Sequence, residues 1–231
     1  MDLREIENVN PWKHWYYLSK AQSVLRIIHE NSTDLSVVVD VGAGSAFFSQ
    51  FLSEKFENAE FLCVDPNYLP DSLSSAPRVS FSQANTNIQA DLYLFMDVLE
   101  HVSSDVLLLK SYLDGAKIGA NVLITVPAFD FLWSEHDVYL GHFRRYRRKQ
   151  VIDLVESVGL KVERSYYLFS IVFPIVLLLR KFGYRKGKGS NMTEVPRFVN
   201  SLLLWINRLE GRFVKSSFFG LSVIVYATKS H

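Results

Sequence analysis

The chain has 231 residues, of which 48% are hydrophobic, and its formal net charge is +1 at pH 7. This length and composition predict one large globular domain with a full hydrophobic core. The nearly neutral charge argues against a protein that binds nucleic acid over its whole surface.

Residues 1–35 are predicted to form a helical cap. The first ten, MDLREIENVN, are charged and lack the apolar segment of a secretory signal. An aromatic-rich stretch at 11–17 precedes an amphipathic helix from Leu18 to Glu30. These rings either pack the helix onto the domain or close over a ligand. We favour packing, and His14 and Trp15 are the residues that would test the alternative.

The segment from Ser36 to Leu52, SVVVDVGAGSAFFSQFL, carries a glycine motif. Its valines predict a buried parallel strand, and residues 46–56 predict a helix. Between them, Gly42-Ala43-Gly44 permits a tight turn and lets a ligand approach bare amides at the start of the helix. Asp40, near the carboxyl end of the strand, lies where open α/β sheets bind ligands.

An acid follows the second predicted strand, Phe61–Val64. This acid, Asp65, comes 21 residues after Gly44, a spacing at which a carboxylate holds the ribose hydroxyls of a nucleotide. Phe47 replaces the third glycine of the dinucleotide fingerprint G-x-G-x-x-G. The only cysteine, Cys63, lies within the strand. A disulfide framework is therefore excluded, and a reducing, cytoplasmic compartment is predicted.

Together, the sequence D-x-G-x-G at Asp40–Gly44 and the acid at Asp65 resemble class I S-adenosylmethionine-dependent methyltransferases. The resemblance implies S-adenosylmethionine as the cofactor. Its methionine end would lie against Gly42-Ala43-Gly44, its ammonium group would meet Asp40 directly or through water, and its ribose would meet Asp65-Pro66.

A third strand is predicted from Arg78 to Gln83, and Asn85 follows it. The methyltransferase family often has an acid at this place, where it meets the adenine amino group. An amide can also hydrogen-bond an adenine edge, so the resemblance implies that Asn85 contacts the cofactor.

A second motif, DVLEHV at residues 97–102, follows the fourth predicted strand, Asp91–Met96. A helix through Leu113 and a fifth strand, Asn121–Val126, come next. The combination resembles the same methyltransferases over residues 36 to about 165, and most closely the branch with ubiquinone-pathway, lipid-pathway and glycan-pathway enzymes. The resemblance implies that Asp97 touches the methionine end of the cofactor.

The spacing of Asp97, Glu100 and His101 places them on one face if a helix begins there. Three roles stay open. His101 or a later residue, His142, accepts a proton as general base beside Glu100. Alternatively, Glu100 caps a helix and His101 packs. Finally, all four residues hold a divalent cation, as an E-x-x-E-H pair with a later histidine does in related branches. Our prediction is no metal, with this cation site as the minority alternative.

Residues 130–149, DFLWSEHDVYLGHFRRYRRK, resemble a segment of methyltransferases whose substrates are unassigned. The loop after strand five normally covers the acceptor site. The resemblance therefore implies acceptor contacts by Trp133, His136, Arg144, Arg145 and Tyr146. Five cations in six residues lie at the predicted start of a helix, where cations are unfavourable. They are either a solvated first turn or, as we predict, a site for an anionic acceptor such as a phosphorylated lipid or sugar carrier.

An insertion at 168–216 separates the sixth predicted strand, Leu160–Tyr167, from the final strand within 217–231. It contains an apolar stretch, a basic stretch and an amphipathic helix: Phe169–Leu179, Arg180–Lys188 and Arg197–Val214. This order suits peripheral contact of residues 169–188 with an anionic bilayer or a lipid tail. A helical lid or a dimer contact explains the pattern equally well.

The sequence therefore predicts one α/β domain with a doubly wound, seven-stranded, mostly parallel sheet of the Rossmann-like methyltransferase type and a helical insertion before the last strand. The predicted reaction moves a methyl group to an oxygen or nitrogen of a small, anionic or lipid-linked acceptor. A cytoplasmic location with membrane association is expected, and the oligomeric state stays open. The alternatives are a nicotinamide-dependent oxidoreductase and a non-catalytic partner subunit with the same fold.

Overall fold

The computed structural model describes residues 9–31, 34–68, 77–84, 88–181, 194–213 and 217–230. Seven strands occur in these ranges: β1 (Val37–Val41), β2 (Glu60–Val64), β3 (Val79–Ser82), β4 (Leu92–Met96), β5 (Asn121–Pro127), β6 (Leu160–Leu168) and β7 (Ser222–Lys229). They form one sheet in the order β3-β2-β1-β4-β5-β7-β6. β7 runs antiparallel to both of its neighbours, and the pairs among β1 to β5 are parallel. The predicted fold class is confirmed.

The central strands are buried on both faces, which explains their continuous apolar sequences. Every residue of β4, LYLFM, is buried, and so are four of the five residues of β1. Strands covered by helices on both sides have this composition. Because β1 pairs with β2 on one side and β4 on the other, the strand order reverses there, and a crevice is expected at the carboxyl ends of these strands.

Helices cover both faces of the sheet. Their bounds are α1 (Trp15–Asn31), α2 (Phe47–Ser53), α3 (Asp105–Leu113), α4 (Glu135–Leu140), α5 (Arg148–Ser157), α6 (Phe173–Lys181) and α7 (Arg197–Phe213). One core cluster joins α1 and α2 to the sheet, and a second joins α3 and α5 to its other face. The sheet is therefore doubly wound.

The N-terminal aromatic residues pack onto the domain. Trp15 and Tyr16 both contact Phe169, with ring centroids 5.7 and 4.8 Å away, and Trp12 meets Phe47 at 5.0 Å. His14 is buried. The packing interpretation of this segment is therefore the one that the structure supports.

The segment after β4 contains two separate helices. A short 3₁₀ helix spans Leu99–His101, and α3 begins at Asp105 and ends at Leu113. Ser104 caps the start of α3, since its hydroxyl accepts a hydrogen bond from the Leu107 amide at 3.4 Å. Serine competes for backbone hydrogen bonds inside a helix and is favoured at a helix start. The helix predicted to follow residues 97–102 and to end at Leu113 is confirmed, whereas a helix that begins at Asp97 does not form.

The insertion between β6 and β7 contains α6 and α7, as expected from the sequence. Of the basic stretch predicted at 180–188, residues 182–188 lie outside the described residues. No helix in the described ranges is both long and apolar enough to cross a bilayer.

Candidate functional site

A cavity of about 690 Å³ opens at the carboxyl ends of β1, β2 and β4. Its wall contains six residues that the sequence predicts for a cofactor or for catalysis: Gly42, Gly44, Asp65, Pro66, Asp97 and His101. Binding sites for small ligands fall in this size range. A second cavity of about 730 Å³, between α1, β6 and α7, is lined by none of the predicted site residues.

The glycine turn after β1 lies in the cavity wall, and Val98 packs closely against it. Gly42 and Gly44 have φ of 64° and 51°, a conformation that glycine adopts without steric cost. A Cβ at Gly42 would lie 2.3 Å from Cγ2 of Val98. The amides of Gly42 and Ala43, however, both donate to the carbonyl oxygen of Val64 at 2.7 and 3.2 Å. The prediction of bare amides is therefore wrong for these two residues, because the end of β2 satisfies them.

Asp65 closes the same turn and keeps acceptor capacity for a ligand. Its Oδ2 accepts the Gly44 amide at 3.0 Å. Its Oδ1 accepts both the backbone and the side-chain nitrogen of Asn67, at 2.9 and 3.1 Å. Each carboxylate oxygen accepts about two hydrogen bonds. Both acceptor positions of Oδ1 are therefore occupied. Only Oδ2 is left to accept a hydrogen bond from a ribose hydroxyl, whereas the sequence predicted that the carboxylate would hold the pair of hydroxyls.

Asp40 does not line the cavity. Neighbouring residues of a strand point to opposite faces, and Val41 is the one whose side faces the cavity. The Oδ2 of Asp40 accepts the Ser49 hydroxyl at 2.7 Å, while its Oδ1 has no hydrogen-bond partner in the described residues. Burial raises the pKa of Asp40 to about 6. The expected direct contact with a ligand's ammonium group is therefore wrong.

The raised pKa of Asp40 predicts a pH-dependent cost to stability. Since the folded-state pKa of about 6 exceeds the about 3.9 of a free aspartate, the folded state binds the proton more tightly, and this stabilisation is lost as pH rises from 4 through 6. The difference corresponds to about 3 kcal/mol. We expect the free energy of unfolding of Asp40→Asn to gain about this much over the parent between pH 4 and pH 8. Urea titrations at both pH values measure it, and parallel curves for the two proteins would contradict it.

Asp97 forms an ion pair that the sequence did not reveal. Its Oδ2 lies 2.5 Å from Nζ of Lys20 on α1, whose side chain is fully buried. Its Oδ1 accepts the Thr125 hydroxyl at 3.0 Å, and Nζ of Lys20 also donates to the Tyr16 hydroxyl at 2.8 Å. Burial alone would raise the pKa of Asp97, but Lys20 lowers it below the ordinary value. Asp97 is thus an ionised, fixed acceptor in the cavity wall.

The backbone explains why Asp97 leaves the face predicted for it. Asp97 has φ of 53°, a left-handed conformation that costs energy for a residue other than glycine and occurs often at functional sites. The carboxylate pairs with Lys20 and is not among the clustered ligand atoms of Glu100, His101 and His142. Its predicted place in a four-residue cation site is therefore wrong.

Glu100, His101 and His142 meet beside the cavity. Each offers one ligand atom, and these atoms lie within 4.8 Å of one another. The two imidazole rings meet edge to face with centroids 4.5 Å apart. Glu100 is 1% exposed, and its Oε2 has no hydrogen-bond partner in the part of the chain that the structure describes. Burial and the nearby Asp97 raise the pKa of Glu100 well above its ordinary value.

Asp137 fixes the orientation of His142. Its Oδ1 lies 2.9 Å from Nδ1 of His142, and its two oxygens accept from Nε and Nη2 of Arg145 at 2.7 and 3.0 Å. Burial would raise the pKa of Asp137, but the bonds from His142 and Arg145 lower it well below the ordinary value. An ionised Asp137 accepts the Nδ1 proton, so Nε2 of His142 is the nitrogen left to take a proton or a cation.

The polar groups expected to bind an anionic acceptor are largely used inside the fold. Arg145 is buried and holds Asp137. Arg144 donates to Asp105 at 3.0 Å, and the Tyr146 hydroxyl donates to the same carboxylate at 2.9 Å. Buried or half-buried partners already occupy Arg144, Arg145 and Tyr146, so their contacts do not support the predicted role in binding the acceptor, which stays a prediction.

The cations at the start of α5 have local partners as well. Arg148 lies over the Tyr167 ring, 5.8 Å from its centroid, and Nζ of Lys149 lies 2.8 Å from a carboxylate oxygen of Asp153, one helical turn later. These contacts offset the unfavourable position of positive charge at a helix start.

Two further predicted residues, Trp133 and His136, do not line the cavity, and a third lies outside the described residues. Trp133, after a 3₁₀ helix at Asp130–Leu132, is 40% exposed. His136 lies half-buried within α4. Asn85 lies outside the described residues, so its predicted adenine contact stays a prediction.

The structure adds two residues that the sequence did not assign, Lys20 and Arg180. Lys20 follows the buried Tyr17 by three residues and precedes the buried Val24 by four, so a charge on the apolar face of α1 was the available signal. Arg180, on α6, has a buried Nη1 without a hydrogen-bond partner in the described residues. Burial and the positive charge of Arg145 lower its pKa to about 10.

No protein-family model matches the chain, and no curated protein matches it. Solved structures do. A candidate sarcosine dimethylglycine methyltransferase from Galdieria sulphuraria is 14% identical with a TM-score of 0.59, and the match covers 93% of this chain and 86% of that one. Phosphoethanolamine N-methyltransferase 2 of Haemonchus contortus, solved with S-adenosyl-L-methionine, is 15% identical with a TM-score of 0.57, over 91% of this chain and 52% of that one.

A third similar structure is the [4+2]-cyclase SpnF, which is 12% identical with a TM-score of 0.58, over 91% of this chain and 80% of that one. These likenesses show that the chain has the Rossmann-like fold of class I methyltransferases. The presence of a cyclase among them means that the fold by itself does not fix the reaction.

Proposed function

We propose that the chain is an S-adenosylmethionine-dependent methyltransferase. The observation that carries the proposal is the cavity where the strand order reverses, walled by Gly42 and by Asp65 at the tip of β2. Sheets of this type bind nucleotide-containing ligands at such a point. The similar Haemonchus contortus protein was solved with this cofactor, which supports the choice over other nucleotides.

The residues present suit the cofactor. Oδ2 of Asp65 would accept a ribose hydroxyl, and the backbone at Gly42 and Gly44 would lie against the methionine end. Val98 and Tyr112 supply apolar and aromatic wall for the adenine ring. S-adenosylmethionine supplies a methyl group on a sulfonium that already is a good leaving group. The protein then has to hold the acceptor in line and exclude water.

A histidine of the cluster would remove the acceptor's proton. His101 lines the cavity, and His142 is oriented by Asp137 at 2.9 Å, the arrangement that keeps one imidazole nitrogen basic. Because imidazole exchanges protons near neutral pH, the pair suits an oxygen or nitrogen acceptor.

Replacing His142 with alanine is expected to lower kcat by roughly 10²- to 10⁴-fold, the usual contribution of a general base. The affinity for S-adenosylmethionine should stay unchanged, since His142 does not line the cavity. Methyl-transfer rates and calorimetry measure the two effects. His29→Ala, an exposed histidine near the end of α1, is the matched control. Equal rates for both variants would exclude His142 from catalysis.

The same cluster permits a second chemistry, the cation site that the sequence left open. Glu100, His101 and His142 give one carboxylate and two imidazoles, and the carboxylate of Asp137 behind His142 is the usual support of a metal-bound histidine. Calorimetry with Mn²⁺ and Mg²⁺ on the parent and on Glu100→Gln distinguishes the two roles. Binding that Glu100→Gln abolishes favours the cation, whereas methyl transfer that is insensitive to a chelator favours the general base.

We further propose an acceptor that carries an anionic or lipid group. Arg144 and Arg145 no longer support this idea, but the unpaired Nη1 of Arg180 does, since Asp137 and Arg145 are the charges that act on its guanidinium. An unpaired guanidinium nitrogen suits a phosphate or carboxylate. With prenyl-phosphate sugars, quinone precursors and phospholipids as test acceptors, Arg180→Gln should raise KM for an anionic acceptor by about tenfold. An unchanged KM would remove Arg180 from the acceptor site.

Calorimetry with nucleotide ligands tests the central proposal. Heat with S-adenosylmethionine and its demethylated product, and none with NADH, is the expected result. Heat with NADH alone would instead indicate an oxidoreductase. Cofactor binding without methyl transfer to any test acceptor, unaffected by His101→Ala and His142→Ala, would indicate a non-catalytic partner subunit.

A further inference from the structure

The exposed apolar residues of the protein are concentrated in the insertion and the turn that follows it. Of the nineteen large apolar side chains that are exposed in the described residues, eleven lie between Ile171 and Phe219. Phe198 is 78% exposed, Trp205 is 58% exposed and Phe218 is 86% exposed. Contiguous apolar surface of this kind marks a contact with a partner or a membrane.

The helix α7 is fixed with this apolar side facing outward. Its inner side is held by polar contacts: Asn200 accepts the Trp15 amide at 2.8 Å, and Glu210 accepts the Ser170 and Ile171 amides at 2.8 and 2.9 Å. A helix on a soluble domain normally turns its apolar side to the core. The orientation of α7 therefore leaves its outer side without an apolar environment.

Exposed apolar side chains form a stripe along α7, and a second group of them lies on α6. Phe198, Leu202 and Trp205 follow one another at helical spacing and are all exposed. On α6, Ile175 and Leu178 are 55% and 53% exposed. We call the exposed side chains of α6, α7 and Phe218–Phe219 the apolar surface.

The charges around the apolar surface are positive. On α7 the exposed charged residues are Arg197, Arg208 and Arg212, while its only acid, Glu210, is buried. Arginine and lysine beside exposed aromatic and aliphatic side chains are typical of helices that lie on anionic bilayers.

A second copy of the chain would fit this surface less well. In a two-fold dimer the same patch meets itself, so Arg197, Arg208 and Arg212 of each copy would approach one another, and like charges oppose such a contact. An anionic bilayer matches both the apolar side chains and the arginines.

The α6 part of the apolar surface, with Phe219, lies at the edge of the sheet where the cavity opens. Phe173 of α6 contacts Phe219, just before β7, and Phe131, just after β5, with ring centroids 5.2 and 6.3 Å apart. β5 ends and β7 begins at this edge. The α6 part of the apolar surface and the cavity therefore lie at the same edge of the sheet.

We propose that α6 and α7 dock the protein on the surface of an anionic bilayer. The helices lie in the interface, with Phe198 and Trp205 among the acyl chains and the arginines at the head groups. Docking does not depend on methyl transfer, so its failure would leave the proposed function standing.

Vesicle binding of the whole chain tests the proposal. Sedimentation with phosphatidylcholine vesicles that contain phosphatidylglycerol should bring the protein down, and phosphatidylcholine alone or high salt should weaken binding by about tenfold or more. Exchanging both Phe198 and Trp205 for serine should lower the partition coefficient by at least about tenfold.

The matched control exchanges Leu107 and Ile118 for serine, since both are exposed apolar residues away from the insertion, at 67% and 74% exposure. This control should bind as the parent does, and both variants should still bind S-adenosylmethionine in calorimetry. Absent binding to anionic vesicles, or equal binding by the two variants, would overturn the proposal. So would a parent dimer in light scattering that dissociates when Phe198 and Trp205 are exchanged, because a second copy would then occupy the surface.

Discussion

Replacing Lys20 with methionine is expected to lower the free energy of unfolding by about 3 kcal/mol, because it leaves the carboxylate of Asp97 without its charged partner. The Lys20 side chain is fully buried and that of Asp97 is 24% exposed. This partial exposure places the effect at the lower end of the range for broken buried pairs. Denaturation in urea, with slopes compared between variants, measures it.

A double-mutant cycle separates the interaction energy between Lys20 and Asp97 from the contribution that each residue makes on its own. Lys20→Met combined with Asp97→Asn should recover most of the loss, because no uncompensated charge remains. A matched control is Lys117→Met, since Lys117 pairs with Asp91 but is half exposed, and surface pairs contribute at most about 1 kcal/mol. Additive losses in the double variant would show that Lys20 and Asp97 act independently.

Replacing Asp65 with alanine is expected to weaken S-adenosylmethionine binding by about 100-fold. The substitution removes a charge-assisted hydrogen bond to the ribose. It also removes the hydrogen bond that the Gly44 amide donates to Asp65 in the parent, at 3.0 Å. The loss of the hydrogen bond to the ribose and the release of the glycine turn both act on the wall of the cofactor cavity. Calorimetric titration of the parent and the variant gives the ratio of dissociation constants.

Two controls keep the Asp65 result interpretable. Asp114→Ala, at an exposed turn after α3, should bind the cofactor as the parent does. Asp65→Asn keeps the size of the side chain and should lose less affinity than alanine. If Asp65→Ala folds normally, as judged by circular dichroism, and binds with parent affinity, the cofactor does not occupy this cavity.

The fold could be predicted because burial leaves a local record in the sequence. β1 and β4 are short apolar runs between turn residues, and a parallel sheet covered on both faces requires that composition. The glycine turn and Asp65 could be recognised from the number of residues that separates them. They lie on two consecutive strands that pair side by side.

The polar partners could not be predicted because they meet over long distances in the chain. Lys20 and Asp97 are 77 residues apart, and Arg144 and Asp105 are 39 apart. Periodicity shows which residues face the core and does not show which buried charges meet. The basic run at Arg144 and Arg145 is unusual in the sequence, and the structure explains it by the pairing of Arg145 with the buried Asp137 and of Arg144 with the half-buried Asp105.

The backbone conformation of Asp97 explains why it does not share a face with Glu100 and His101, as the sequence had suggested. Asp97 adopts a left-handed conformation at the end of β4. Aspartate adopts this conformation more often than most residues, but its surroundings decide at which position it does so. The i, i+3, i+4 spacing therefore suggested a common face that does not form. Three of the four residues that the sequence offered as a cation site, Glu100, His101 and His142, lie together, and Asp97 does not.

The position of β7 also has a consequence for biosynthesis. β6 joins the sheet only through β7, which lies between β5 and β6. During translation, the edges of β5 and β6 that pair with β7 therefore stay unpaired until residues 222–229 leave the ribosome. The insertion between β6 and β7 prolongs this delay. Unpaired strand edges and late non-local pairing favour aggregation, so we expect nascent chains that stall before residue 222 to depend on chaperones.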